Sequence, residues 1–159
     1  MSERANALAE RIEEGAKSLA EYVEGFSDAE WQRIVPGEER SIGVLVHHVA
    51  SSYQAEVDLA SQLASGKPIV GVTIDVIDGI NADHAKEFAQ VAKRDVLKML
   101  HENSKGAAER VRKFTDAELD NANKVSLNAD APLTAQFFLE DHALRHSFTH
   151  LESIRQALG

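Results

Sequence analysis

Apolar residues recur at intervals of three and four along four stretches of the chain, which is the spacing of amphipathic helices. The predicted helices cover residues 2–25, 41–66 and about 81–113, and a last helix that starts near Pro132 or Thr134 and runs to residue 158. Serine, threonine or proline stands at three of these starts, and glycine follows the first two helices. Four long helices predict an all-α fold, a four-helix bundle.

Two short segments have the spacing of a capping box, residues 27–30 (Ser-Asp-Ala-Glu) and 115–118 (Thr-Asp-Ala-Glu). Each predicts a short helix. The first of these carries Trp31 and Ile34 and ends at Pro36-Gly37. The similarity of the two segments is consistent either with an old duplication of a helix pair or with two independent capping boxes.

The stretch 67–80 is rich in β-branched residues, but no second strand-like run is present to pair with it. We therefore interpret it as an extended, partly buried connector of about 46 Å, which is longer than a second helix of about 37 Å. A connector of that length can cross the whole bundle. This predicts an up-down-down-up topology with a long crossover between helices two and three. A polar loop is expected before the last helix, through Asn128.

The size and composition of the chain exclude several classes of function. The 159 residues predict one domain over 1–159. The net charge of −9 and the lack of a basic cluster argue against nucleic acid as a partner. No apolar run is long enough for a membrane span, and the polar N-terminus is unlike a signal peptide, so we expect no membrane association and a cytoplasmic location. The absence of cysteine excludes disulfides, thiolate metal sites and a cysteine nucleophile.

Histidine is the chemically distinctive residue of the sequence. The seven are His47, His48, His84, His101, His142, His146 and His150. The last three are four residues apart, so they share one side of the fourth helix. At 100° per residue, His146 and His150 fall in a partly buried seam and His142 turns toward solvent. The same geometry favours His48 over His47 as the inward residue of the second helix.

In the up-down-down-up topology His48, His146 and His150 meet at one end of the bundle, with His84 nearby. Three imidazoles with an open position can hold a divalent transition metal such as zinc, nickel or iron. Such an ion acts as a Lewis acid or activates water. The alternative is a set of ordinary core and surface histidines. We expect Glu56, two turns after His48, to be solvated.

Three segments together resemble the DinB-like superfamily. Residues 40–50, RSIGVLVHHVA, resemble its first signature, in which the metal-binding histidine stands seven residues after a serine; here that residue is His48. Residues 75–85, DVIDGINADHA, are similar to the segment before the third helix, with its recurrent asparagine at Asn81. Residues 146–155, HSFTHLESIR, resemble the closing His-x3-His motif.

Two departures from the pattern point to a less characterised branch of that superfamily. Arg40 stands where the first signature usually has tryptophan. Residues 151–153, Leu-Glu-Ser, replace the Arg-Gly-Gln of the bacillithiol-transferase-like members. The second departure weakens the transferase assignment more than the metal assignment.

The resemblance implies a bacterial, homodimeric four-helix bundle with a divalent metal on His48, His146 and His150. Characterised relatives include thiol-dependent S-transferases and a maleylpyruvate isomerase. We therefore expect a metal-dependent enzyme, a thiol S-transferase or a related hydrolase or isomerase, whose partner is a small electrophilic substrate. We assign His84 as the catalytic residue, with Glu56 as an alternative base. Asn81 is assigned to binding a cofactor, for which a low-molecular-weight thiol is a candidate. The alternative is a non-catalytic stress-response bundle that binds metal or a small ligand.

Overall fold

Four long helices enclose the hydrophobic core, as the sequence predicts. The computed structural model describes residues 1–159. In chain order the elements are α1 Glu3–Val23, α2 Asp28–Trp31, β1 Ile34–Val35, β2 Arg40–Ser41, α3 Ile42–Ala64, α4 Ile74–Glu87, α5 Lys93–Val111, α6 Asp116–Asp120, β3 Ala122–Val125, β4 Ala131–Thr134, α7 Ala135–Phe138, a π-helical segment Leu139–Leu144 and α8 Arg145–Leu158. The last three form one continuous helical rod. No helix has the length and apolar character needed to span a membrane.

Side-chain caps fix where the bundle helices begin. The Ser2 side chain accepts a hydrogen bond from the Ala5 amide at the start of α1, and Ser41 accepts from Val44 at 3.1 Å at the start of α3. Thr134 does the same at the start of α7. Each cap satisfies a backbone N–H that has no partner inside the helix. The predicted starts of the first, second and fourth helices are therefore confirmed.

Two contacts give the relative direction of α3 and α5. Asn103 Nδ2 donates to the Ala50 carbonyl at 2.9 Å, and Arg110 Nη2 lies 2.7 Å from Asp58 Oδ1. Moving from the first contact to the second advances about two turns along both helices. The two helices therefore run the same way, side by side.

The first and last helices are matched in a similar manner. Arg11 lies over the Phe148 ring at 4.5 Å, and Arg155 lies over the Tyr22 ring at 5.2 Å. The contact that lies farther along α1 also lies farther along α8, so these two helices run in the same direction. This places the C-terminal half of α8 beside the end of α1, while its N-terminal half faces α3.

The predictions for the middle of the chain are wrong in two respects. The connector is extended only as far as residue 73, because Thr73 caps α4 and the helix begins at Ile74, well before residue 81. The predicted third helix is two helices, with a break between Glu87 and Lys93. The β-branched residues of this segment favour a strand, but the residues of α4 that face the bundle have helical spacing, and the segment is a helix. The break is held by Trp31, whose Nε1 donates to the Val91 carbonyl at 3.0 Å.

Short strands replace two other predicted features. The predicted short helix through Ile34 ends at Trp31, and β1 pairs with β2 across a turn in which Gly37 has φ +86°. The predicted polar loop through Asn128 contains an antiparallel hairpin of β3 and β4. Ile69 of the connector pairs with Val125 of β3. The hairpin therefore supplies the pairing partner that the sequence analysis did not identify. Its strands are too short and polar to show a strand pattern.

Gly43 illustrates how closely α3 approaches α2. A Cβ atom at Gly43 would lie 2.5 Å from Trp31 Nε1. We expect Gly43→Ala to lower the free energy of unfolding by about 1–3 kcal/mol through overpacking. Gly106, inside α5, has open space at the same position, and we expect Gly106→Ala to raise stability by about 0.5–1 kcal/mol. Thermal melting of both variants measures the contrast; equal effects would contradict the packing argument.

Candidate metal centre

Three imidazole rings meet between α3 and α8. His48 Nε2 and His146 Nε2 are 2.9 Å apart, and one ring nitrogen from each of His48, His146 and His150 lies within 4.8 Å of the others. A tetrahedral ion with nitrogen ligands at about 2.0–2.1 Å separates those ligands by roughly 3.3 Å. The donor set therefore fits a first-row divalent metal. The structure brings together the three histidines that the sequence selects.

Carboxylates lie behind two of these rings. Glu56 Oε1 is 2.9 Å from His146 Nδ1, and Glu38 Oε1 is 3.4 Å from His150 Nδ1. Neither nitrogen makes a hydrogen bond that satisfies the geometric requirements, although each lies close to a carboxylate oxygen. Carboxylates in this position fix the tautomer of a metal-binding imidazole and leave its Nε2 lone pair facing the metal.

Glu38 is itself held from the opposite side. Arg40 Nη2 donates to Glu38 Oε2 at 2.8 Å, and both side chains are largely buried. The contact with His150 and then the bond from Arg40 hold the pKa of Glu38 at about 2. The carboxylate is therefore ionised at any pH at which the protein would function, and it can act as a permanent acceptor for His150.

Burial favours the neutral form of two of the three central imidazoles. Burial, and then the neighbouring groups His146 and His150, lower the pKa of His48 to about 2. The pKa of His150 is also lowered, mainly by burial, although Glu38 opposes the shift. Neutral imidazole is the form that binds metal ions. The protein environment therefore favours the neutral, metal-binding form of His48 and His150.

A second histidine pair lies beside the centre. His47 Nδ1 is 2.7 Å from His84 Nε2, and the His47 ring stacks on Phe88 at 4.0 Å. Burial, and then His47, lower the pKa of His84 to about 4. His84 lies near the end of α4, not in the first turn of a third helix as predicted, and its ring centroid is 5.7 Å from that of His48. Its buried Nδ1 has no hydrogen-bond partner.

A pocket of about 490 Å³ opens at this centre. Apolar side chains from several elements form one part of its wall: Leu59, Val72, Ile77, Ile80, Leu127 and Phe138. The central histidines, His84 and Asn81 are also among its lining residues, so every predicted site residue borders one space. The pocket combines an apolar wall with a few polar groups, as small-molecule sites generally do.

The predictions for His142 and Glu56 are wrong, and His47 is itself buried, at 4 % exposed, although the helical-face argument favours His48 as the inward residue. His142 does not turn to solvent: it lines the pocket, 4.3 Å from the Phe138 ring, because the wider π-helical turn shifts it from the position given by 100° per residue. Glu56 is not solvated but 13 % exposed against His146. Glu38 has no signal in the sequence, since it stands in a turn. His101 is exposed.

The fold and the converging histidines define the class of protein. The model of the DinB superfamily matches residues 11–154, so the chain belongs to that superfamily. This confirms the resemblance drawn from the three sequence segments. No curated protein matches the chain.

One solved structure shares the architecture. YfiT from Bacillus subtilis superimposes with a TM-score of 0.78 at 17 % identity, over 99 % of this chain and 87 % of that one. That protein is described as a probable metal-dependent hydrolase with an unusual four-helix bundle topology. At this level of identity the similarity shows the fold, and the four-helix bundle predicted from the sequence is confirmed.

Proposed function

We propose that this chain is a metal-dependent enzyme that joins a small nucleophile to a small electrophilic substrate. The observation that carries the proposal is the approach of three ring nitrogens, from His48, His146 and His150, to within 4.8 Å in the wall of a 490 Å³ pocket. The description of YfiT as a probable metal-dependent hydrolase supports it. We propose zinc, nickel or iron as the ion.

A divalent ion on three histidines keeps a coordination position free, lowers the pKa of a water or thiol bound there, and polarises a substrate oxygen. The chain's own residues prepare the site for this role. Glu56 and Glu38 set the orientation of the His146 and His150 rings. The apolar wall of the pocket limits water around the reacting groups, which strengthens the electrostatic interactions inside.

His84 is proposed as the residue that positions the nucleophile. With a pKa of about 4 it is neutral at pH 7, so it offers one N–H donor and one lone pair. Its Nε2 is engaged by His47, which leaves Nδ1 as the nitrogen available for the nucleophile. A base of such low pKa removes a proton inefficiently at pH 7, so we assign His84 to holding and orienting the nucleophile.

The nucleophile is water in a hydrolase and a low-molecular-weight thiol in an S-transferase. The chain contains no cysteine, so a thiol would have to come from a second small molecule, for which Asn81 in the pocket wall is the proposed contact. Assembly as a homodimer stays a prediction.

The test begins with the metal content of protein purified without a nickel column. We expect a stoichiometric transition metal, and a chelator-sensitive reaction with p-nitrophenyl esters or with 1-chloro-2,4-dinitrobenzene in the presence of a thiol. Ester hydrolysis without added thiol supports water as the nucleophile, and a strict thiol requirement supports S-transfer. Protein that binds metal but catalyses neither reaction would favour the non-catalytic alternative. Protein without metal would contradict the proposal.

A further inference from the structure

Arg40 is the only lysine or arginine among the residues that line the histidine pocket. Its side chain is 14 % exposed. One guanidinium nitrogen, Nη2, donates to Glu38, but the other, Nη1, is buried without a hydrogen-bond partner. A charged donor that is buried and unpaired is costly, because it has lost water and gained no acceptor. The pocket is therefore lined by a guanidinium of which one nitrogen, Nη1, lacks an acceptor.

The guanidinium is close enough to act on the histidine centre. Arg40, His48, His146 and His150 all line the same pocket. Arg40 Nη2 lies 2.8 Å from Glu38 Oε2, and Glu38 Oε1 lies 3.4 Å from His150 Nδ1. A molecule bound in the pocket therefore lies beside both Arg40 and the histidine centre.

We propose that the substrate of this pocket has an apolar body and one carboxylate group, and that Arg40 binds the carboxylate through Nη1. The inference rests on the proposed function, since the opposite end of the molecule is the part that reacts at the histidine centre. An arginine N–H bonded to a carboxylate is among the stronger hydrogen bonds in proteins. The apolar wall, which includes Ile77, Ile80 and Phe138, suits the body of such a molecule.

The charges around Arg40 favour a single negative charge on the ligand. Glu38 already neutralises part of the guanidinium, and Glu56 and Asp141 also border the pocket. A doubly charged phosphate would meet these carboxylates with one free guanidinium nitrogen to offset the repulsion.

The test uses two probes that differ only at one end. Adipic monohydroxamate has a metal-binding hydroxamate and a carboxylate, and its amide analogue replaces the carboxylate with a neutral group. Calorimetry with the zinc-loaded protein should show the acid probe binding about tenfold to a hundredfold more tightly than the amide probe. Arg40→Gln should abolish this preference while binding of the amide probe persists. Binding of the amide probe shows that the metal centre of the variant is intact.

A second measurement covers the case in which Arg40→Gln disturbs Glu38 and the fold. In the wild-type protein, the side-chain ¹⁵N resonance of Arg40 should shift with the acid probe and not with the amide probe. Equal affinity of the two probes for the wild-type protein would overturn the carboxylate assignment and leave the metal site standing. A preference that survives in Arg40→Gln would overturn the role of Arg40. Failure of both probes to bind would contradict the proposed function itself, and this inference with it.

Discussion

Alanine at His48 or at His146 should weaken metal binding by about 100-fold or more. Structural zinc sites with four ligands bind with about 10–16 kcal/mol, so each ligand accounts for several kcal/mol. In this protein each substitution leaves two imidazoles and removes one of the nitrogens that approach each other at 2.9 Å. Metal analysis after dialysis, with a competition titration against a chelator, measures the loss.

His47→Ala and His101→Ala are the matched controls. His47 is adjacent to His48 in the chain, but its ring faces His84 and Phe88 and is not one of the three converging imidazoles. His101 is exposed on α5. We expect both variants to retain metal. If His47→Ala lost metal as completely as His48→Ala, the assignment of His48 as the ligand on α3 would be wrong.

Removal of the metal should lower the melting temperature at pH 8 and at pH 5, and the effect should fade only in stronger acid. Protons compete with the metal for the histidines, but burial lowers the pKa of His48 to about 2 and also lowers the pKa of His150, so the competition begins well below the pKa of about 6.5 of an unperturbed histidine. Metal at a hundredfold excess over its dissociation constant adds about 2.7 kcal/mol, or about 5–10 °C for a chain of this size. Melting with and without chelator, repeated at several pH values, gives the profile.

The metal-free protein should also lose stability in acid. The folded state holds the pKa of His48 at about 2, below that of an unfolded histidine, so the unfolded chain takes up protons first as the pH falls below about 6.5. This contribution to stability is present above pH 6.5 and is lost as the pH falls toward 2. Loss of bound metal and proton uptake by the unfolded chain both lower the free energy of unfolding as the pH falls. A chelator effect that is already lost at pH 5 would contradict a site whose histidines are kept neutral by burial.

The starts of α1, α3 and α7 could be predicted, because a serine or threonine cap and the apolar spacing both lie in the local sequence. The boundaries of α4 could not be predicted in the same way. Its β-branched residues favour a strand locally, and only the pocket that the helix covers explains why Ile77, Ile80 and His84 stand at helical spacing. The prediction that His84 lies near the histidine centre is therefore correct, although the predicted bounds of the helix that carries it are wrong.

The roles of the two carboxylates behind the histidines could not be predicted from the sequence. Glu56 is at helical spacing from His48, but an acidic residue on a chain of charge −9 has no local feature that separates a buried partner from a solvated one. Glu38 stands in a turn, where periodicity gives no information about direction. Both roles depend on how α3 and the β1–β2 turn pack against α8, which is a tertiary property.

The π-helical segment Leu139–Leu144 has a consequence for length variation in relatives of this chain. A hydrogen bond from i to i+5 encloses one residue more than the bond of an α-helix, so the segment absorbs a single extra residue within the last helix. Loss of one residue there would restore an ordinary α-helix and leave the phase of α8 unchanged. His146 and His150 would then keep their orientation, while His142, inside the segment, would turn. In relatives that are one residue shorter at this point, the two converging histidines should persist and the position of His142 should be free to change.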